Sequence, residues 1–412
     1  MKEGSVQSFP VCALVLDEVL RLSHLEPLLE REEIDWRFDS DAVFERASFS
    51  EIDVGICTQE FGSKTALRVS AFRQMGIPVC HIVDGILEWR NLWENPRSLH
   101  EGAGLPIYQP VLSDRIVCIG DFQKVIMESL GNKGKCEPIG LPRLDAYWGI
   151  QKGRDFGKPV KDVLVATANT AGFTGIQKEK AIRALADLKR CMDQPMFSKR
   201  VRPIWRVDAS VAEKLGLRAE EIDLRSAPLP MVLQEFDALV CTPSTVLLEG
   251  MLAGIPSCCL DYTNSPRMVL AAWEITAAEQ MSRTLGEIVV PNIQRLAYQD
   301  TLLSHQVAQG RATERVVGLI QSMARGENGS GLREDIGGGR FSLGELNPNH
   351  SVFRQFSLEE LQAVVGHLEK LMERDAALEL ENKRLQRERG LWWRVLGQVR
   401  RLRVAGAGKG GG

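Results

Sequence analysis

Apolar residues in the first 150 positions fall in short runs separated by longer stretches of mixed character. Val11 to Leu16, Asp53 to Cys57, Pro78 to Val83, Arg115 to Ile119 and Cys136 to Ile139 read as buried strands. Glu18 to Arg31, Lys64 to Met75 and Phe122 to Leu130 instead place apolar side chains at three- and four-residue steps, the period of a helix with one covered face. Strand and helix alternating at this spacing build a parallel sheet with helices on both faces.

The stretch Gln151 to Lys161 is charged and carries Gly and Pro, so it reads as an interdomain linker. A second alternating set follows. Val163 to Thr167 is a strand, Gln177 to Cys191 a helix, Val201 to Val207 a strand, Pro230 to Phe236 a short helix and Ala238 to Cys241 a strand. Helices between Met268 and Met323 are expected to complete it. The expected fold class is α/β: two Rossmann-like doubly wound domains, residues 1–150 and 151–324, with a C-terminal coiled-coil helix.

Beyond the second set the pattern changes. Residues 325–352 are dense in glycine and poor in apolar side chains, as in a flexible linker. Within 353–403, Leu361, Val364, Leu368, Leu371, Leu378 and Leu385 form a heptad seam, interrupted at equivalent positions by Asp375 and Asn382. This predicts homo-oligomerisation through a coiled coil, the polar interruptions setting register. Trp392 and Trp393 next to Arg394, Arg400, Arg401 and Arg403 suit peripheral contact with an anionic membrane, or a solvated helix end. Residues 404–412 read as a disordered tail.

Composition narrows the class. A net charge of −3 over 412 residues gives no global reason to bind nucleic acid. The N-terminus lacks the apolar core of a signal peptide, and no apolar run approaches the roughly 20 residues that span a bilayer. The nine cysteines sit mostly in strand-like runs, with no CxxC pair and no Cys/His ligand spacing. Reduced thiols in a cytoplasmic protein, peripheral at most on the inner membrane face, are expected.

The densest signal is Asp237 to Pro266, which reads as strand, polar turn, helix, strand and polar turn. Thr242 is suited to cap the helix and Pro243 to open it. Ser244 and Thr245 then occupy a first turn whose backbone N–H groups are unpartnered and whose dipole end is positive, a ready phosphate site. Glu249 follows one turn later, about 6 Å along the same face, where a carboxylate can accept hydrogen bonds from a ribose diol. A second motif, Gly140-Leu-Pro-Arg143-Leu-Asp145, ends the first set.

Together these two motifs resemble the nucleotide-sugar half of the GT-B glycosyltransferases, with the bacterial surface-polysaccharide and CDP-glycerol-transferase-like members nearest in pattern. The resemblance covers about Val6 to Ala324. It implies a GT-B architecture and a nucleotide-diphospho-sugar or -alcohol donor as substrate, with no tightly bound cofactor. It also implies a glycan or lipid-linked acceptor and a role in polysaccharide biosynthesis. A sugar-nucleotide 2-epimerase shares the fold and is the alternative, and a non-catalytic coiled-coil assembly protein is a further one.

Open parallel sheets bind ligands beyond the carboxyl ends of their strands. There, Thr167, Asn169, Thr170 and Gly172 form a small polar loop suited to the donor diphosphate or the acceptor, or simply a connection. Asp84, at the end of a strand and before Gly85, stands where CDP-glycerol transferases commonly show His-Gly, and it is the candidate general base. Glu88 and Arg90 are reserves, Arg90 and Lys64 also being candidates for an anionic group or the acceptor. Gly62-Ser-Lys64-Thr65 lacks the glycine spacing of a P-loop. Arg143 can neutralise a leaving diphosphate or pair with Asp145. His81, inside an apolar strand, is expected to be buried and hydrogen-bonded. An epimerase would need the carboxylates and histidine at Asp84, Glu60, Glu88 and His81 in its cleft. No Asp-x-Asp pair is present, so a helix dipole with Arg or Lys is expected to stabilise the leaving group without a metal.

Overall fold

The computed structural model describes residues 10–16, 24–38, 51–60, 63–95, 107–150, 157–168, 171–223 and 227–327, with two short strands at 340–342 and 355–357. The heptad seam, the basic tail, Asn169, Thr170 and the side chain of Lys64 lie outside what is described. None of the described helices is long and apolar enough to cross a membrane.

The first sheet contains β1 (Val11–Val15), β2 (Ile34–Phe38), β3 (Val54–Cys57), β4 (Val79–Ile82), β5 (Arg115–Val117) and β6 (Cys136–Glu137). All neighbours are parallel, in the order β2-β1-β3-β4-β5-β6. Helices α1 (Ser63–Gln74), α2 (Trp89–Trp93) and α3 (Asp121–Met127) belong to its connections. The second sheet contains β7 (Lys161–Ala166), β8 (Val201–Arg206), β9 (Ala238–Cys241), β10 (Ser257–Leu260) and β11 (Trp273–Ile275), parallel throughout in the order β11-β10-β9-β7-β8. Its helices include α4 (Gly175–Met192), α5 (Ala209–Leu215), α6 (Thr245–Leu252), α7 (Met281–Val289) and α8 (Ile293–Gln306). Central strands such as β3, β4 and β9 are buried at every position, as all-parallel sheets covered on both faces require.

Two expectations need correction. The chain between Glu18 and Arg31 is helical only at Glu26–Leu29 among its described residues, and it leads into the unforeseen strand β2. β2 is an edge strand whose Asp35 and Arg37 pair at the surface (2.8 Å), which broke up the apolar run. The stretch after Met268 is not all helical, because Trp273, fully buried, anchors edge strand β11. Further along the chain, Arg340–Ser342 pairs antiparallel with Gln355–Ser357.

The last helix of the second set, α9 (Thr313–Ala324), packs against the first domain. The Gly140 to Asp145 motif holds it there. Asp145 accepts the N–H groups of Ala312 (2.5 Å) and Thr313 (2.8 Å), so it caps the helix start rather than pairing with Arg143. Gly140 has φ +91°, and a Cβ there would lie 3.0 Å from Ala312 Cβ. Arg315 donates to the Ile139 carbonyl (2.9 Å), and Arg31 pairs with Glu314 (2.5 Å).

Candidate functional site

A cleft of about 590 Å³ opens at the carboxyl ends of β4, β7, β8 and β9. Strand order reverses between β7 and β9, the crevice where doubly wound sheets bind ligands. The first domain contributes Asp84, Gly85, Ile86, Glu88, Asn91 and Arg143. The second contributes Ala166 to Ala168, Phe173, Arg206 to Asp208, Leu229 and Ser244 to Val246.

The helix whose start is expected to hold phosphate begins two residues later than the capping rules predict. Ser244 is the N-cap of α6, its hydroxyl accepting from Val246 N at 3.3 Å. Thr242 is committed elsewhere: buried, it accepts the Ala168 N–H (3.2 Å) and stitches together the two loops at the strand reversal. Ser244, Thr245 and Thr167 line the cleft. Gly172 does not. A Cβ there would meet Lys178 N at 2.5 Å, so this glycine serves the close approach of its loop to the start of α4. Thr174 and Gln177 close that start with a capping box.

Glu249 sits behind the cleft wall. It is 2% exposed, and its Oε1 accepts from Arg143 Nη2 at 2.6 Å, while Oε2 has no hydrogen-bond partner among the described residues. Arg143, 31% exposed, also donates from Nη1 to the Asp84 carbonyl (3.2 Å) and presents its guanidinium to the cleft. Burial, with Glu249 alongside, pushes the neighbouring Tyr147 phenol above its usual range.

Asp84 lies at the cleft wall, its carboxylate accepting from Gln59 Nε2 at 3.1 Å. Glu88 is also in the wall and pairs with Arg90 at 2.5 Å. Burial, followed by the charge of Asp261, raises the Glu88 carboxyl against the opposing pull of Arg90. Arg90 is buried in that pair, so its charge is already compensated. Glu60 and His81 are buried in the first domain, away from the cleft lining.

Arg206 and Asp208 are cleft residues that the sequence reading passed over. Arg206 ends β8, and this position at the carboxyl end of a parallel strand was the available signal. Its Nη1 lies 3.4 Å from Asp223. Asp208 caps α5, accepting from Ser210 Oγ (2.6 Å) and Val211 N (3.0 Å). Burial raises its carboxyl, but these hydrogen bonds outweigh that and hold it below its ordinary value.

The domains touch at the helix start. Ile86 N donates to Thr245 Oγ1 at 3.1 Å, and a Cβ on Gly85 would overlap that same oxygen. Gly85→Ala is therefore expected to break this bond and cost about 1–3 kcal/mol, as overpacking does. Denaturant unfolding with amide exchange at Ile86 checks it: protection at Ile86 should fall, and unchanged protection would contradict the contact.

No family model matches the chain, and no curated protein matches it in sequence. Solved structures do match in shape. A putative UDP-N-acetylglucosamine 2-epimerase from Listeria monocytogenes superposes with TM-score 0.53 at 10% identity, covering 76% of this chain and 96% of that one. S. aureus MnaA, solved with UDP, gives 0.50 at 12% identity over 77% and 97%. The wall teichoic acid polymerase TagF, as its H444N variant, gives 0.48 at 11% identity over 77% and 89%. The likeness is one of fold: two parallel α/β domains facing across a cleft, the GT-B architecture.

Proposed function

We propose that this chain is an enzyme that binds a nucleotide-diphospho-sugar or -alcohol in the interdomain cleft and transfers its activated group to a hydroxyl acceptor in bacterial surface-polysaccharide assembly. The observation that carries this reading is a convergence on one cleft. The Ser244/Thr245 helix start, Arg206 from the second domain and Arg143 from the first all line it. Helix N-termini and guanidinium groups are the donors that diphosphates recruit.

In this reading the α6 start and the two arginines hold the diphosphate and take up charge as it leaves. Asp84 removes the proton from the acceptor hydroxyl as that oxygen attacks, and the bond to the leaving nucleotide breaks. Glu249 acts first by aiming Arg143, and it reaches a ribose only when Arg143 moves off it.

A 2-epimerase is the second reading. Glu88 favours it, because it places a second carboxyl in the same cleft wall as Asp84, one that burial raises against the pull of Arg90. The two fates differ in their need for an acceptor. Transfer predicts free nucleotide released only when a glycan or lipid-linked acceptor is supplied. Epimerisation predicts interconversion of the donor sugar without one, and that result would displace the transferase reading.

A further inference from the structure

Strands β3 and β4 pair in register, with Cys57 opposite His81. Glu60 turns back onto both from the loop after β3. Its carboxylate accepts the N–H groups of Leu112 and Ser113 and the Ser113 hydroxyl at 2.5 Å. Cys57, His81 and Ser113 are fully buried and Glu60 nearly so. The cleft lining does not include them.

Three donor atoms converge here. His81 Nδ1 lies 3.5 Å from Cys57 Sγ and 3.7 Å from Glu60 Oε2, and Sγ lies 4.0 Å from Oε2. Sulfur and carboxylate therefore face the same ring nitrogen, which carries one proton at most. A nucleophile–histidine–acid relay needs its two partners on opposite nitrogens, and Nε2 has no hydrogen-bond partner among the described residues. A cation between the three atoms meets all of them. Zinc bonds to S, N and O at its usual lengths put tetrahedral ligands about 3.4–3.6 Å apart. The observed triangle closes on such an ion with shifts of a few tenths of an ångström, mostly by Glu60. Thiolate and carboxylate together carry the charge that a divalent ion cancels, which a buried site demands. The hydrogen bonds from Ser113 and Leu112 orient Glu60 as a ligating carboxylate is commonly oriented.

We propose that Cys57, Glu60 and His81 hold a divalent metal ion, zinc by their donor chemistry, with one enclosed water completing the four-coordinate shell. The ion ties the loop after β3 to β4. Gln59, inside that loop, then keeps its hydrogen bond to Asp84. The site stands apart from the diphosphate end of the cleft and takes no part in stabilising a leaving group.

The test uses the full chain purified from zinc-supplemented medium. Elemental analysis should find about one zinc per chain. After chelation, Co²⁺ should produce thiolate-to-cobalt absorption in the near ultraviolet and tetrahedral d–d bands. Cys57→Ser should abolish the thiolate band, while Cys12→Ser, a control elsewhere in the first domain, should keep it. Ser113→Ala retains all three ligands and should weaken cobalt affinity about 10–100-fold. If Cys57→Ser fails to fold, the wild-type metal content and the affinity of Ser113→Ala still decide. A metal-free wild-type chain that gives no thiolate band with Co²⁺, or a band that survives in folded Cys57→Ser, would overturn the site and leave a hydrogen-bonded network only.

Discussion

Asp84→Asn is expected to lower turnover about 10²–10⁴-fold, the usual loss when a general base is removed, while donor affinity changes little. Asp84 is held in place from two sides. Gln59 fixes its carboxylate, and Arg143 anchors its backbone carbonyl. Asparagine keeps the shape and an acceptor for Gln59 but cannot take a proton. Steady-state turnover alongside donor titration separates the effects. Wild-type turnover in a folded variant would move the base to Glu88, the other carboxylate in the wall.

Arg143→Met is expected to cost about 3–5 kcal/mol, because it strands a buried carboxylate without a counter-charge. The pair is lopsided, Glu249 being 2% exposed and Arg143 31%. Glu249→Gln should therefore cost clearly less. The arginine left behind can reach water and keeps its bond to the Asp84 carbonyl. The double variant Arg143→Met/Glu249→Gln should recover much of the loss, since the two side chains are directly coupled. Denaturant unfolding of the three variants measures this. Equal, small effects in both single variants would contradict the pair as the latch between the domains.

Much of this fold was legible because central parallel strands are continuous apolar runs. Val54–Cys57, Val79–Ile82 and Ala238–Cys241 are buried throughout, so pattern alone located them. Edge strands were harder to read. Asp35 and Arg37 face water in β2, and β11 has only three residues. Local capping rules favoured Thr242, but Ala168, 74 residues away in sequence, claims that hydroxyl, and the helix starts after Ser244. The Gly140–Asp145 motif was visible as a string. Its work depends on the start of α9, 168 positions further on at Thr313, coming back to meet Asp145. Arg143 meets Glu249 across 106 positions, and Cys57 meets His81 only once β3 and β4 pair. Sequence spacing carries no trace of either.

The central claim is that the interdomain cleft is a nucleotide-diphosphate site. The most direct measurement is calorimetric titration of UDP-, CDP-, GDP- and ADP-sugars into the intact chain and into Arg206→Ala. Saturable binding of at least one donor is predicted, weakened about 10–100-fold in the variant, as loss of a hydrogen bond to a charged group implies. Absence of binding across the panel, or equal affinity in a folded Arg206→Ala, would contradict it.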